Sequence, residues 1–193
     1  MQEFELLSLS HFLGFCICLA AIVFIPKLIQ AKPGLENFSK YLLIFLLVEN
    51  QIRSTYVETL IKGGNLLENL PLHLCDFSAI VIAVFLLTGF RPLFIFAYFW
   101  GIAGAGMSIL TPDSEFAFPH YEYFATMYGH SLILLAVVFS IVNLGQRPYL
   151  KDIPKLIFYS SILLAIMYGI NYILGANYWL SLIHISEPTR HRR

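Results

Sequence analysis

The chain alternates between long apolar runs and short polar segments. A helix that crosses a bilayer needs about 20 mostly apolar residues, and six runs come close to that length or exceed it. They cover residues 10–29, 41–61, 72–88, 92–110, 123–142 and 157–174. The segments between them carry glycine, proline and charged residues, which is typical of turns. The pattern predicts an all-α protein, a polytopic helical membrane bundle in which six transmembrane helices are present.

Composition narrows the class of protein further. Hydrophobic residues make up 58% of the 193 and charged residues 12%, whereas about 25% of an ordinary soluble domain is charged. So few charges cannot cover a water-exposed surface, and 17 Phe and 11 Tyr are too apolar for a disordered chain. The 12 basic residues balance the 12 acidic ones, so we predict no nucleic-acid binding, which requires a basic surface. The composition therefore indicates an integral membrane protein.

The basic residues predict how the helices are oriented. Seven of them flank the loops after predicted helices one, three and five, whereas the opposite loops hold Lys62 alone. Loops rich in Lys and Arg stay in the cytoplasm. We therefore expect a multi-pass protein of the cell (cytoplasmic) membrane with its N-terminus outside. The seven residues are Lys27, Lys32, Lys40, Arg91, Arg147, Lys151 and Lys155.

The last fourteen residues differ in character from the rest of the chain. Residues 180–190 resemble the translation of an adapter used to prepare sequencing libraries. We therefore divide the chain into a single transmembrane helical domain over residues 1–179 and a non-native read-through tail over residues 180–193. On this interpretation a seventh transmembrane helix is missing from the chain. The alternative is an ordinary basic C-terminal tail.

Ionisable side chains inside a bilayer are costly, so each of them is a candidate functional residue. In the second predicted helix, Glu49 and Arg53 are spaced i, i+4 with the acid first, which favours an ion pair. Either the pair neutralises itself and packs the bundle, or Arg53 holds a lipid phosphate or a carboxylate, because its planar donors suit both.

The third predicted helix opens on three chemically active side chains, His73, Cys75 and Asp76. We expect this helix to begin near Pro71, which would place Cys75 close to a helix N-terminus. The positive end of the helix dipole there favours a thiolate. Cys75 is therefore a candidate nucleophile, whereas we interpret the other two cysteines as packing residues.

In the fifth predicted helix, His130 lies about two turns from the same end of the bundle and is a candidate general base. Several other polar residues fall at this level of the bilayer, and their convergence indicates one site. We predict that Cys75, His130 and Asp76 are catalytic. The predicted substrate-binding residues are Glu49, Arg53, His73, Asp113, His120 and Asn171. Because the cysteines and histidines lack the spacing of metal ligands, we predict no metal site and no cofactor.

Several short motifs occur together in one known family. The segments LPLHLCD (70–76), YFWGIAGA (98–105), LTPD (110–113), FPH (118–120) and GHS (129–131) resemble the YwaF family of bacterial integral membrane proteins. That family is related to the animal transmembrane protein 164 group, and the resemblance covers predicted helices two to six. It implies a seven-helix fold and, for the animal branch, acyl transfer between phospholipids by a cysteine and a histidine. On this chain those residues are Cys75 and His130.

Three functions stay open at this point. The first is a lipid acyltransferase or acyl hydrolase at the outer leaflet, with membrane lipids as partners, in which His130 takes a proton from Cys75 and the thiolate attacks an ester. Asp76 or Asp113 would orient the imidazole, and Arg53 would hold the phosphate. The second is a transporter or sensor of small molecules. The third, ranked lowest, is a zinc hydrolase. Its ligands would be His73, His120 and His130 with Asp76 or Asp113.

Overall fold

The computed structural model describes residues 3–32, 34–67, 69–176 and 178–180. Over these residues the protein is helical, and its extended backbone is confined to one isolated bridge between Glu3 and Phe116. The α-helices are α1 (Leu9–Gln30), α2 (Leu35–Tyr56), α3 (Leu74–Thr88), α4 (Arg91–Trp100), α5 (Gly106–Leu110), α6 (Tyr121–Val142) and α7 (Ile153–Leu174). Short 3-10 helices cover Leu150–Asp152 and Tyr178–Leu180. The predicted all-α fold is confirmed.

Two π-helical turns modify this helix order. Val57–Ile61 extends α2, and Gly101–Ala105 joins α4 to α5 without a break. Each of the six predicted runs therefore corresponds to one continuous helix. Single π turns inside α-helices often occur at functional sites, and both of these lie next to the residues discussed below.

The third helix starts later than expected. It begins at Leu74, three residues after Pro71, and its N-cap is His73. The reason is local, because the Asp76 carboxylate accepts a hydrogen bond from the His73 backbone N–H at 3.0 Å and so satisfies one of the unpaired donors of the first turn. The helix ends at Gly89, whose left-handed conformation (φ 69°) favours glycine.

Four helices are long and apolar enough to cross a membrane among the residues that the structure describes. They cover Leu9–Gln30, Arg91–Leu110, Tyr121–Val142 and Leu150–Leu174. The other two predicted spans fall short for different reasons. Helix α3 is apolar but has 15 residues, a length of about 22 Å, and α2 carries Glu36, Lys40, Glu49 and Arg53.

Helix α6 lies at the centre of the bundle, where it packs against α1, α2, α3, α4 and α5. The main core joins α2, α3, α4 and α6, and its largest fully buried side chains are Phe85, Phe94 and Phe139. In contrast, α1 and α7 bury little of their surface and expose rows of large apolar side chains, such as Phe12, Ile17 and Phe158. Such an exterior suits contact with lipid rather than with water.

The chain runs back and forth between two ends of the bundle. At the N-terminal end, residues 3–8 meet the loop 111–120, and the Phe4 N–H donates to the Glu115 carbonyl at 2.9 Å. At the basic end, residues 30–32, 88–91 and 143–152 come together, and the Gln30 amide donates to the Val142 carbonyl at 2.9 Å. The seven basic residues that predict the orientation all lie towards this end of the bundle. The predicted read-through tail lies outside the described residues apart from Leu180. The predicted seventh transmembrane span, which would follow α7, also lies outside them.

Candidate functional site

A cavity of about 420 Å³ opens at the N-terminal end of the bundle, between α2, α3, α6 and the loop 111–120. Polar and charged side chains from four segments line it. They are Asn50, Gln51, Arg53, Ser54, Glu58 and Lys62, then Cys75 and Asp76, then Asp113, Ser114 and Glu115, and finally Tyr121, Glu122, Thr126 and His130. The structure thus brings five of the predicted site residues, namely Arg53, Cys75, Asp76, Asp113 and His130, into one cavity.

Cys75 is the second residue of α3 and is half-buried. Its sulfur packs against the π turn Gly101–Ala105 between α4 and α5, where a Cβ atom added to Gly104 would lie 3.6 Å from the Sγ. The hydroxyl of Ser108 lies beside the thiol and donates to the Gly104 carbonyl at 3.0 Å. The small residues of Gly101–Ala105 therefore let α3 approach closely enough for the thiol to be held between the two helices.

His130 lies one helical turn below Thr126 on the face of α6 that lines the cavity. Its Nδ1 lies 2.7 Å from the Thr126 carbonyl oxygen. A carbonyl can only accept a hydrogen bond, so Nδ1 carries the proton and Nε2 of the neutral ring is left as the acceptor. A ring held in this way presents a general base at Nε2.

Asp76 lines the cavity and also caps α3. One carboxylate oxygen caps α3 through the His73 N–H, and the Asp76 carbonyl accepts from the Gln51 amide at 3.3 Å. The carboxylate is close enough to interact electrostatically with both Cys75 and His130. The group that orients the imidazole, however, is the Thr126 carbonyl.

Arg53 is engaged by three partners, and the predicted ion pair with Glu49 is present at 3.1 Å. Its other nitrogens donate to the Asn50 side-chain oxygen at 2.6 Å and to the Tyr121 hydroxyl at 2.5 Å. These bonds join α2 to the first residue of α6. A ligand phosphate at Arg53 would therefore have to share the guanidinium with one carboxylate and two neutral acceptors already in place.

Lys62 forms a second bridge from α2 to α6 at the mouth of the cavity. Its ammonium contacts Glu58 at 3.0 Å and Glu122 at 2.5 Å. The hydrogen bond to Glu122 is the main reason that the pKa of Lys62 is raised above its ordinary value. Lys62 therefore stays cationic throughout the neutral range. The i, i+4 spacing of Glu58 and Lys62 indicates their ion pair from the sequence alone. The partner on α6, Glu122, is 60 residues away along the chain, and no sequence pattern pairs it with Lys62.

Two predicted binding residues, Glu49 and His73, lie outside the lining of this cavity. The Glu49 side chain lines a separate apolar groove on the surface of α2. His73 precedes α3 as its N-cap, and its ring packs edge-on against Tyr178 with 4.9 Å between centroids. Glu49 is held by its ion pair with Arg53, and His73 is held by its ring contact with Tyr178.

His120 and Asn171 also lie outside the lining. His120 is the N-cap of α6, where its Nδ1 accepts from the Glu122 N–H at 3.4 Å. Asn171 is fully buried near the end of α7, where it bonds both the backbone N–H and the carbonyl of Tyr178, at 2.9 and 2.7 Å. Within the described ranges, no three His, Cys, Asp or Glu side chains come together as a metal site. The ligand set of the zinc hypothesis is thus not assembled.

His11 is a buried polar residue that the sequence analysis did not single out. Its Nε2 lies 3.1 Å from the Leu110 carbonyl, and its Nδ1 lies 3.4 Å from the Tyr123 hydroxyl. The two bonds fit one neutral tautomer, with Nε2 as donor and Nδ1 as acceptor. His11 therefore fastens α1 to α6 and to the end of α5, just below the loop that covers the cavity.

The glycine next to the histidine has a packing reason. A Cβ atom added to Gly129 would lie 2.9 Å from the side-chain nitrogen of Asn50. The side-chain oxygen of the same Asn50 accepts a hydrogen bond from Arg53. We expect Gly129→Ala to displace Asn50 and to destabilise the protein by about 1–3 kcal/mol, the usual cost of overpacking. The midpoint of thermal unfolding in detergent measures this effect.

Gly169→Ala is the matched control for Gly129→Ala. Gly169 also lies inside a helix, but nothing comes within 4 Å of an added Cβ atom. Alanine should therefore stabilise α7 by up to about 1 kcal/mol through helix propensity. In the Asn50→Ala background, Gly129→Ala should cost much less stability than it costs in the unmodified protein, because the clashing side chain is absent. Equal melting midpoints for the Gly129→Ala and Gly169→Ala proteins would contradict the packing argument.

The fold and the cavity together define a class: an integral membrane protein built as a helical bundle, with a polar cavity at one end. Residues 4–188 match the model of the TMEM164 family, and the chain belongs to that family. The predicted relationship to the transmembrane protein 164 group is thus confirmed. A protein of Treponema pallidum (strain Nichols), described as an uncharacterized protein, is 31% identical over 121 residues. The aligned part covers 62% of this chain and half of that relative's length. No solved structure matches the chain.

Proposed function

We propose that the protein is a membrane-lipid acyltransferase or acyl hydrolase that uses the thiol of Cys75 and the imidazole of His130. The observation that carries the proposal is that both side chains line one cavity at the N-terminal end of the bundle. The Nε2 atom of His130 is the free acceptor of its ring. A thiol and a base from two different helices, next to the region of lipid head groups, are the elements that nucleophilic acyl transfer needs.

The reaction has two steps. First, Nε2 of His130 takes the thiol proton and the Cys75 sulfur attacks the ester carbonyl of a phospholipid. The ester C–O bond breaks, the lyso-lipid alkoxide leaves with the proton from His130, and a thioester stays on Cys75. Second, the hydroxyl of another lyso-lipid gives its proton to His130 and attacks the thioester, and the thiolate leaves and recovers that proton. Water in place of the lyso-lipid gives the hydrolase.

The surrounding charges support binding of a polar head group beside the ester. Arg53 and Lys62 lie on one wall, and Asp113 belongs to the loop over the opening.

The predicted orientation puts the basic end of the bundle in the cytoplasm, because loops rich in Lys and Arg stay there. The proposed site would then face the outer leaflet of the cell membrane, with the N-terminus on the same side.

The test is acyl exchange by the purified full chain in vesicles that contain a phospholipid donor and a lyso-phospholipid acceptor. Cys75→Ala should abolish both exchange and the acyl adduct on the protein, because neither of the other two cysteines lines the cavity. The adduct is detected as an added acyl mass on the peptide that contains Cys75. Cys16→Ala and Cys18→Ala are the matched controls, since both lie on α1 away from the cavity, and they should retain activity.

A second candidate function is a transporter or sensor that binds a small polar molecule. It is favoured by the two bridges between α2 and α6, through Arg53 and Lys62, because neither is required for thiol chemistry. In that case Cys75→Ala would leave function intact, whereas loss of either cation would not. Absence of acyl exchange and of the acyl adduct on Cys75 in the unmodified protein would therefore turn the assignment towards this function.

A further inference from the structure

A second cavity, of about 430 Å³, lies at the basic end of the bundle, between the first turns of α4 and α7. Its floor and walls are mostly apolar, and its rim is charged. The lining residues are Phe90, Arg91, Pro92, Leu93, Ile95 and Phe96 from one side, and Asp152, Lys155, Leu156 and Tyr159 from the other. This cavity is separate from the one that holds Cys75, which opens at the N-terminal end.

The rim carries one positive charge in excess. Arg91 and Asp152 neutralise each other through two contacts of 2.7 and 3.1 Å, and Arg91 also donates to the Arg147 carbonyl at 3.1 Å. Lys155 lines the same cavity, and no acidic side chain of the described residues pairs with it. Arg147 and Lys151 belong to the adjoining loop, which adds to the positive potential.

The walls below this rim are suited to hydrocarbon. Phe96 of α4 packs edge-on against Tyr159 of α7, with 6.3 Å between ring centroids, and Leu156 adds a further apolar side chain on the α7 side. The two helices that form the cleft begin the candidate spans Arg91–Leu110 and Leu150–Leu174. The cations therefore lie where those spans meet the membrane surface, and the apolar walls extend from there into the bilayer.

We propose that this cleft binds one anionic phospholipid, with its phosphate at Lys155 and the exposed side of Arg91 and an acyl chain against Phe96, Leu156 and Tyr159. A cationic rim above apolar walls matches a phosphate joined to a hydrocarbon chain, and basic pockets between membrane helices bind anionic head groups. A zwitterionic lipid fits less well, because its ammonium would meet Lys155. The site does not depend on the chemistry proposed for Cys75.

Lipid retention by the full chain tests this assignment. Delipidated protein in detergent is titrated with phosphatidylglycerol or with phosphatidylcholine, and the bound lipid is counted by native mass spectrometry. We expect phosphatidylglycerol to bind more tightly than phosphatidylcholine. Lys155→Gln should weaken phosphatidylglycerol binding about fivefold, the effect of one cation near the surface. Leu156→Trp should lower retention as well, because the larger ring fills the cleft without changing its charge.

Lys27→Gln is the matched control, because Lys27 lies in the last turn of α1 at the same end but outside the cleft. It should bind phosphatidylglycerol as the unmodified protein does. Equal affinities for the Lys155→Gln and Lys27→Gln proteins would overturn the site. So would displacement of the lipid by inorganic phosphate at equal concentration, or a dimer that forms through this face and excludes lipid. A normal result for Leu156→Trp would refute the placement of the acyl chain.

Discussion

Replacing His130 with alanine is expected to slow acylation of Cys75 by about 10²–10⁴-fold, the range that a positioned general base contributes. The ring is fixed by the bond of Nδ1 to the Thr126 carbonyl, at 2.7 Å, so Nε2 is available to take the thiol proton. Loss of the ring leaves the thiol protonated near neutral pH. The rate of adduct formation on Cys75, followed by intact mass spectrometry with a phospholipid donor, measures the effect.

Two other histidines at this end of the bundle, His73 and His120, provide the controls for His130→Ala. His73 and His120 are helix N-caps that lie outside the lining of the cavity. His73→Ala and His120→Ala should cost stability and leave the acylation rate of folded protein within a few-fold of normal. If removing either of them slowed acylation as much as removing His130, the choice of His130 as base would be wrong.

Much of the fold could be predicted from apolar run lengths alone. Each of the six runs became one continuous helix, because in a bilayer an apolar run of that length has no better way to satisfy its backbone. The exact ends of the helices were predicted less well. Helix α3 was expected to begin near Pro71, but it begins at Leu74. The Asp76 carboxylate accepts from the His73 N–H and so makes His73 the N-cap. No hydropathy pattern carries that information.

The candidate site could be predicted only in part. Cys75, Asp76 and His130 were recognised because polar groups are costly inside a membrane, and they do line one cavity. The contact that sets the tautomer of His130 is made by a backbone carbonyl, that of Thr126, which residue types cannot predict. The bridge from Lys62 to Glu122 joins residues 60 positions apart, and only the three-dimensional packing brings them together.

The two helices that fail the length and apolarity required of a membrane span are the ones that build the site. Helix α2 is polar in part because it contributes Asn50, Gln51 and Arg53 to the cavity. Helix α3 is short because it starts inside the bundle, with Cys75 in its first turn. The same departures from an ideal span that weaken the sequence signal thus make room for a polar cavity, which α6 completes with Thr126 and His130.

Asn171→Ala is expected to destabilise the protein by about 2–5 kcal/mol. The side chain bonds the Tyr178 N–H and carbonyl at 2.9 and 2.7 Å in a fully buried position. Each buried backbone group left without a partner costs about 1–3 kcal/mol. Asn171 is a predicted substrate-binding residue, and in the structure its side chain lies outside the lining of the cavity and bonds Tyr178, after the end of α7. The thermal unfolding midpoint of the full chain in detergent measures the loss.

The effect should reach the site, because Tyr178 anchors the segment that leads into α3. Its hydroxyl donates to the Leu67 carbonyl at 2.6 Å and accepts from the Leu70 N–H at 3.2 Å. We therefore expect iodoacetamide to modify Cys75 faster in Asn171→Ala than in the unmodified protein. Tyr172→Ala is the control, since that side chain is 82% exposed and should change stability by less than about 0.5 kcal/mol. An unchanged midpoint together with an unchanged alkylation rate would show that Asn171 does not hold this segment.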